Sequence, residues 1–284
     1  MQECAILLLN KERGMSSNKA VNKVKFLLGA SKAGHLGTLD VLGEGLLPVT
    51  LNKATKLFDY FLEKDKEYVT IFKFGQTSPT LDLEGELTEE DKTLDLSEEE
   101  VKKVLPKFIG RQNQMPPIYS AKKVNGQKAY SLAREGKDVD LKPKEIEIYD
   151  IRLLKKVDKN TFEFKVACSS GTFIRSLCRD IAKELSTCGV MQRIIRTRCG
   201  IFDLKDSYTL QDIENGKFTL IGADTIFEQT SISLDEREFE LVRNGVQISN
   251  MPCKDGKYKV YHDKLFLGLG EVCQGKLKLL IRLF

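Results

Sequence analysis

Residues 34–48 read GHLGTLDVLGEGLLP, and no other stretch limits the possible folds of this chain so tightly. Four glycines stand within it, around Asp40 with Glu44 close behind. Glycines this dense permit positive φ and a close approach of backbone to a ligand or a neighbouring strand, which predicts an irregular loop. Leu46, Leu47 and Val49 follow as an apolar anchor, so a loop held from below can present the Asp40 carboxylate outward. On spacing alone, an aspartate in such a loop is a turn cap bonded to nearby backbone N–H groups. Choosing between a turn cap and a reactive carboxylate needs the rest of the chain.

At 284 residues the chain exceeds the usual size of one core, which predicts one large domain and a smaller one. Hydrophobic residues make up 41% and charged residues 30%, an ordinary globular balance that excludes the disordered class. No apolar run approaches the roughly 20 residues needed to span a bilayer, and the start MQECAILLLNKERG lacks a basic leader. The expectation is a cytoplasmic protein with no membrane partner. Seven cysteines without a Cys-x-x-Cys pair, beside two histidines, fit neither a disulfide framework nor a structural zinc site. Cys178 falls on the apolar face of a predicted helix, where a buried thiol is the default. A net charge of +4 makes no global case for nucleic acid, so the placement of charge has to carry it.

Residues 5–9 read as a short strand, and Ser16 or Ser17 caps a helix that ends at Gly29. Ala20, Val21, Val24, Leu27 and Leu28 recur at helical spacing and predict its buried face, leaving Lys11, Lys19, Lys23 and Lys25 for solvent or an anion. From Glu67 to Phe74 the pattern alternates as a strand. Tyr68, Thr70, Phe72 and Phe74 share one face, so Tyr68 is either a core ring or a stacking platform. Ten acids and one lysine between Asp82 and Glu100 predict a solvated excursion. Ser97 and Glu100 form a capping box for a helix buried through Val101, Val104, Leu105, Phe108 and Ile109 and stopped by Gly110.

Charge then changes sign. Arg111, Lys122, Lys123, Lys128 and Arg134 gather around MPPIYSAKKVNGQKAYSLAREG with Tyr119 and Tyr130 interleaved, a mixture that suits nucleic acid and equally suits a plain solvated surface. Strands are predicted at 145–157 and 161–168. Ile174, Leu177, Cys178, Ile181 and Leu185 then make an amphipathic helix with Gly171 and Thr172 at its start. This puts Arg175 in the first turn, against the helix dipole, which points to a task other than helix stability. Arg193, Arg196 and Arg198 follow beside Gly200. After about Glu228, a helix over 235–244 and strands at 257–262, 264–269 and 276–283 predict a small β-rich module, with His262 on its surface.

In sequence and order, KERGMSS, GHLGTLDVLGEGLLPV, KEYVTIFKFGQTSPTLDLEGE, QMPPIYSAKKVNGQKAYSLAREG, CSSGTFIRSL and RTRCGIF resemble the TruB family of tRNA pseudouridine synthases. The likeness covers about the first 200 residues and then thins. It implies an α/β (α+β) protein: a catalytic domain over 1–228 on a mixed, largely antiparallel sheet, and a small PUA-like RNA-binding domain over 229–284. The implied activity is isomerisation of uridine 55 in the tRNA T-loop to pseudouridine, with no cofactor and no metal, by a monomer whose partner is tRNA and which needs no obligate protein partner. By position, Asp40 matches the catalytic aspartate, Tyr68 the tyrosine stacked on the target base, and Arg175 the arginine paired with the aspartate. His35 matches the histidine that helps hold the T-loop with the base extruded, and Ile194 an apolar residue near the base. Phe173 replaces a tyrosine of the binding site, and Lys122, Lys123, Lys128 and Arg134 are the expected phosphate contacts.

The chemistry suits those residue types. Uracil must leave C1′ through N1, turn, and rejoin through C5, which calls for a carboxylate beside the sugar as nucleophile or base. An arginine within a few ångströms keeps that carboxylate ionised. The chain departs from the family pattern at Leu36 (for Thr), Val41 (for Pro), Gly43 with Glu44 (for small residues) and Ile195 (for Arg). None of these removes the aspartate, tyrosine or arginine, although Glu44 adds a negative charge with no partner visible in the sequence. Two other readings share these motifs: a tRNA-folding chaperone without catalysis, and the catalytic subunit of a guide-RNA particle. Intact Asp40, Tyr68 and Arg175 oppose the first, and the absence of long basic tails opposes the second.

Overall fold

The computed structural model describes residues 4–62, 64–89, 91–119, 123–124, 127–128 and 141–284. The first apolar run forms β1 (Cys4–Lys11), and the Ser16 side chain then accepts from the Lys19 amide to cap α1 (Ser17–Leu27). β2 (Ala33–His35) and β3 (Gly43–Asn52) flank the glycine loop, and α2 (Phe58–Leu62) leads to β4 (Lys66–Phe74). Next come the short pair β5 (Gln76–Thr77) and β6 (Thr88–Glu89), then α3 (Glu98–Val104) behind its Ser97–Glu100 capping box, then β7 (Gly110–Gln114). A two-stranded ladder of β8 (Lys123–Val124) and β9 (Gln127–Lys128) precedes β10 (Lys144–Asp158) and β11 (Thr161–Cys168). α4 (Ile174–Glu184), β12 (Gly189–Cys199), β13 (Phe202–Asp203), α5 (Leu210–Glu214) and β14 (Ile221–Gly222) follow.

Ten strands join in one sheet of order β14-β1-β3-β12-β4-β11-β10-β7, with β2 added to β3 and β13 to β12. Its pairings are antiparallel except for β12 beside β3. That exception builds the site. β12 sets Ile194, Ile195 and Arg196 opposite Gly43, Glu44 and Gly45 on one side, and Arg196 opposite Tyr68 of β4 on the other. The first residues after the glycine loop therefore lie two strands from Tyr68, with Arg196 between. Gly45 has φ +94, and a Cβ there would lie 2.6 Å from the Arg196 carbonyl oxygen, so no other residue permits this approach of the two backbones.

Successive residues of β1 point to opposite faces of the sheet, and both faces are covered, which is why the strand reads as an unbroken apolar run. Ala5, Leu7 and Leu9 join α1, α4 and the phenylalanines of β4 and β11 in the main core, while Ile6 and Leu8 face a second core with Leu46, Leu57, Phe61, Phe202 and Phe227. A four-stranded sheet follows, ordered β15 (Ser231–Leu234), β16 (Gly256–His262), β17 (Leu265–Cys273) and β18 (Lys276–Arg282). With α6 (Glu236–Arg243) it packs a core of its own, yet Leu269 and Leu283 reach into the core beneath Ile6 and Leu8.

Several expectations need correction. Leu27 is 36% exposed, because α1 turns only Ala20, Val21, Val24 and Leu28 toward the sheet, and Ile109 lies mostly in solvent. Lys11 is buried, since β1 continues through it to Gly45. Asp82 does not share the solvation of the acidic stretch and is also buried. β15 was not anticipated, and Asp235 caps α6 rather than belonging to it. His262 is not a surface side chain: its ring stacks on Phe239 at 4.4 Å and its Nδ1 lies 3.1 Å from the Leu234 oxygen. Among the described residues no helix is long and apolar enough to cross a membrane.

Candidate active site

The glycine loop is fastened on every side. The Ser17 hydroxyl donates to the Leu39 oxygen at 2.8 Å and accepts from the Leu39 amide at 2.9 Å, tying the start of α1 to the residue before Asp40. The Leu36 amide donates to Pro48, the Gly14 amide to Val41, and the Gly43 amide to the Asp40 oxygen, closing a turn around the aspartate. Arg196, 1% exposed, donates through Nε to the Leu46 oxygen and through Nη2 to the Gly37 oxygen. The turn expected from composition is therefore present, but backbone groups and Arg196 hold it. The Asp40 side chain is left 48% exposed, and it does not serve as the turn's cap.

Arg175 meets it from the first turn of α4. This guanidinium is buried, with Nη2 3.1 Å from Asp40 Oδ2, and with Nη1 3.2 Å from Asp82 Oδ2 and 2.9 Å from the Thr80 oxygen. Asp82 is itself fixed: its Oδ1 accepts from Thr80 Oγ1 and from the Glu84 amide, and its backbone oxygen accepts from Ser78 Oγ. The Met191 amide donates to the Leu81 oxygen, which docks this turn on β12. One planar cation thus spans a buried carboxylate and a half-exposed one, a geometry that guanidinium permits and an ammonium does not. Phe173, the residue before α4, has no side-chain cap of its own. Gln114 supplies one: it accepts from the Phe173 amide at 2.8 Å and donates to its carbonyl at 3.2 Å, while Ser176 and Arg179 donate to the Met115 oxygen next door.

A cavity of about 270 Å³ opens over these groups. Leu39, Phe173, Ile174, Met191 and Ile194 give it an apolar side; Asp40, Arg175, Lys66, Tyr68 and Arg196 give it a polar one. Tyr68 is 8% exposed and reaches the cavity from the main core, so it is at once a core ring and a wall of the site. Burial pushes its hydroxyl well above the usual phenol range; the nearby Arg196 charge opposes the shift without cancelling it. Tyr68 is therefore protonated at neutral pH. Lys66 donates to the Lys64 oxygen, and burial pulls its ammonium below the ordinary range.

Asp40, Tyr68, Arg175, Phe173 and Ile194 all line this cavity. His35 is not among the cavity-lining residues: it ends β2 opposite Val49, its Nδ1 is buried without a partner, and burial followed by the charge of Arg196 lowers its pKa. Lys123 and Lys128 are register partners in the β8–β9 ladder, while Lys122 and Arg134 lie outside the described residues. Glu44 has a partner after all. Arg193 Nε donates to it at 2.7 Å and Nη2 at 3.3 Å, so its charge is neutralised on the protein. Asp82, Arg196, Lys11 and Gln114 were missed as site residues. The strand alternation in QRIIRTRC, which puts Ile194 and Arg196 on one face, was a signal for the second of them.

Lys11 gives a pH signature. Its Nζ donates to the Glu12 oxygen at 2.9 Å and the Met15 oxygen at 2.7 Å, and burial pulls its pKa from 10.5 to about 8 against the opposing charges of Asp40 and Glu44. Between those two values the unfolded chain holds a proton that the folded chain has released, so stability rises with pH across that window. Lys11→Met has no such proton, so relative to it the native chain should gain stability from pH 7.5 to pH 10, by about 3 kcal/mol at most. Urea midpoints of both proteins at the two pH values measure the difference, and parallel changes would refute it.

Comparison with known proteins shows the family. A family model described as TruB family pseudouridylate synthase (N terminal domain) matches residues 25–174, and one described as tRNA pseudouridylate synthase B C-terminal domain matches 175–224. The chain is 37% identical over 280 residues to the tRNA pseudouridine synthase B of Francisella tularensis subsp. novicida, covering 96% of this chain and 92% of that protein. It is 37% identical over 273 residues to the protein of the same name from Caldanaerobacter subterraneus subsp. tengcongensis, covering 95% of each. Among solved structures, a chain from an H/ACA RNP bound to a substrate RNA containing 2′-deoxyuridine shares the fold, with a TM-score of 0.71 at 21% identity over 99% of this chain and 85% of that one.

Proposed function

The chain belongs to the TruB family of pseudouridylate synthases, and from that premise we propose that it isomerises uridine 55 in the T-loop of tRNA to pseudouridine. The observation that carries this reading is the line Asp40–Arg175–Asp82, whose first two members open on a cavity walled by Tyr68. The target base must leave its stack to enter, at a cost of about a few kcal/mol, and the Tyr68 ring with Ile194 and Phe173 offers surface to replace that stacking. Asp40, the one carboxylate of the pair open to the cavity, stands beside the sugar. Arg175 holds it aimed, and Asp82 holds Arg175. The neighbouring Arg196 is a donor only and cannot accept from Tyr68, so the phenol O–H can bond the base. His35 braces the loop behind the cavity, where its neutral ring can meet RNA without adding charge.

We take residues 1–228 as the catalytic unit and 229–284 as a small appended RNA-binding module resembling a PUA domain, in a monomer that acts in the cytoplasm without metal, cofactor or obligate protein partner. The test is release of tritium from tRNA labelled at uridine C5, with the purified protein alone. Release in the absence of other components supports a self-sufficient enzyme. No release would refute it and favour either the chaperone or a guide-RNA particle.

Lys122, Lys123, Lys128 and Arg134 serve in this reading as phosphate contacts around the T-arm. Neutralising any one should lower the slope of log affinity against log salt by roughly 0.7 to 0.9 for each phosphate it no longer neutralises. Titrations of labelled tRNA between about 50 and 300 mM salt measure it. An unaltered slope would reduce this segment to a solvated surface.

A further inference from the structure

α1 carries three lysines and no acid between Ser17 and Leu27. Its inner face is spent on Ala20, Val21 and Val24, but Phe26 is 85% exposed, more than any other large apolar side chain among the described residues. A single exposed apolar residue is ordinary on a protein surface. This one has particular neighbours. Lys19, Lys23 and Phe26 stand at i, i+4 and i+7, hence on one stripe of the helix. With Asn22 and Leu27 they form one wall of an open groove whose other wall is Leu210 and Glu214 of α5. Neither Lys19 nor Lys23 has an ion pair among the described residues. The helix, though not the stripe, starts at the active site: Ser17, on the buried face, clasps the residue before Asp40, and the stripe lies on the side of the helix turned away from it. At 1.5 Å per residue, Phe26 lies roughly 13 Å further along the axis.

We propose that this stripe is a second RNA contact, in which Lys19 and Lys23 pair with phosphates and the Phe26 ring stacks on an unpaired base of the substrate that lies outside the stem-loop carrying the target uridine. Charge selects the occupant: two unpaired lysines against one groove acid, Glu214, suit a polyanion. An exposed ring among cations supplies the stacking platform that single-stranded nucleic acid uses. Direction selects the part of the RNA, since the extruded base occupies the cavity and the stripe faces away from the Ser17 side of α1 that adjoins it. The inference rests on the tRNA-modifying reading above, and the two fail differently. Were that reading wrong, the unmodified protein would not convert the isolated stem-loop; were only this inference wrong, it would.

The chain contains no tryptophan, so Phe26→Trp creates a unique fluorophore on the stripe. Its emission should be quenched by saturating full-length tRNA and left unchanged by the isolated T-arm stem-loop. Phe26→Leu, apolar but without a ring face, should weaken binding of full-length tRNA by roughly 5- to 150-fold, the fold-change corresponding to about 1 to 3 kcal/mol of stacking. Its affinity for the stem-loop, and its turnover there, should match those of the unmodified protein, while Phe26→Tyr should restore full-length binding. Lys19→Gln and Lys23→Gln should each lower the salt slope for full-length tRNA only. Equal losses on both substrates, or none on either, would overturn the proposal. So would an indole emission in Phe26→Trp that shifts with protein concentration and not with RNA, which would make the groove a contact between copies of this chain.

Discussion

In Asp40→Asn, isomerisation is expected to fall by about 10⁴-fold or more while tRNA affinity stays within about threefold. The amide has the size of the carboxylate, and nothing that shapes the loop depends on that side chain. The turn is closed by the Gly43 amide on the Asp40 backbone oxygen, the Leu39 backbone is gripped by Ser17, and Arg196 holds Gly37 and Leu46. Nor does the change strand a buried charge, because Arg175 keeps Asp82 and the Thr80 oxygen. What disappears is the anion that the proposed reaction sets beside the sugar. Single-turnover tritium release and filter binding on the same preparation separate the two effects. Turnover within about tenfold of the native enzyme would remove Asp40 from the chemistry.

Arg175→Lys should come next in severity, lowering the single-turnover rate by about 10²- to 10³-fold with much less change in affinity. The guanidinium reaches Asp40 through one nitrogen and Asp82 with Thr80 through another, and a single ammonium cannot occupy both places. A lysine here keeps the charge and must choose. If it stays with the buried Asp82, which cannot be left unpaired cheaply, Asp40 loses its aim. Asp82→Asn should then impair Arg175→Lys little further, since both act through the same contact, and that non-additivity is the sign of one network rather than two independent defects. An unchanged rate in Arg175→Lys would show that charge alone suffices.

What the sequence disclosed depended on whether a residue follows the periodicity of its own element. Tyr68 sits in a strand that alternates cleanly, and its burial agrees with the pattern. Arg175 was placed by the apolar stripe of α4, and Asp40 by the glycines and by the likeness of the surrounding motifs. Asp82 was unreadable. It stands among nine other acids, and its burial comes from a turn docked on Met191, more than a hundred residues later. Arg196 and Lys11 failed for a related reason. Each ends a run of inward-pointing positions with a charged side chain, and only the backbone carbonyls that receive it, supplied by the far side of the loop or the following turn, make an inward charge tolerable. The Glu44–Arg193 pair joins adjacent strands whose parallel pairing nothing local announces.

The core shared by Ile6, Leu8, Leu269 and Leu283 has a consequence for how the protein is made. One face of β1 waits for partners that leave the ribosome about 260 to 275 residues later. At roughly 5 to 20 residues per second, that wait is on the order of 15 to 55 s. During synthesis the catalytic sheet can pair its strands and cover its α1 face early, but its other face keeps apolar surface exposed until β17 and β18 emerge. The nascent chain is therefore most open to chaperones on the face opposite α1, and a ribosome stalled before residue 265 would hold a sheet that is complete in its pairing and sticky on one side.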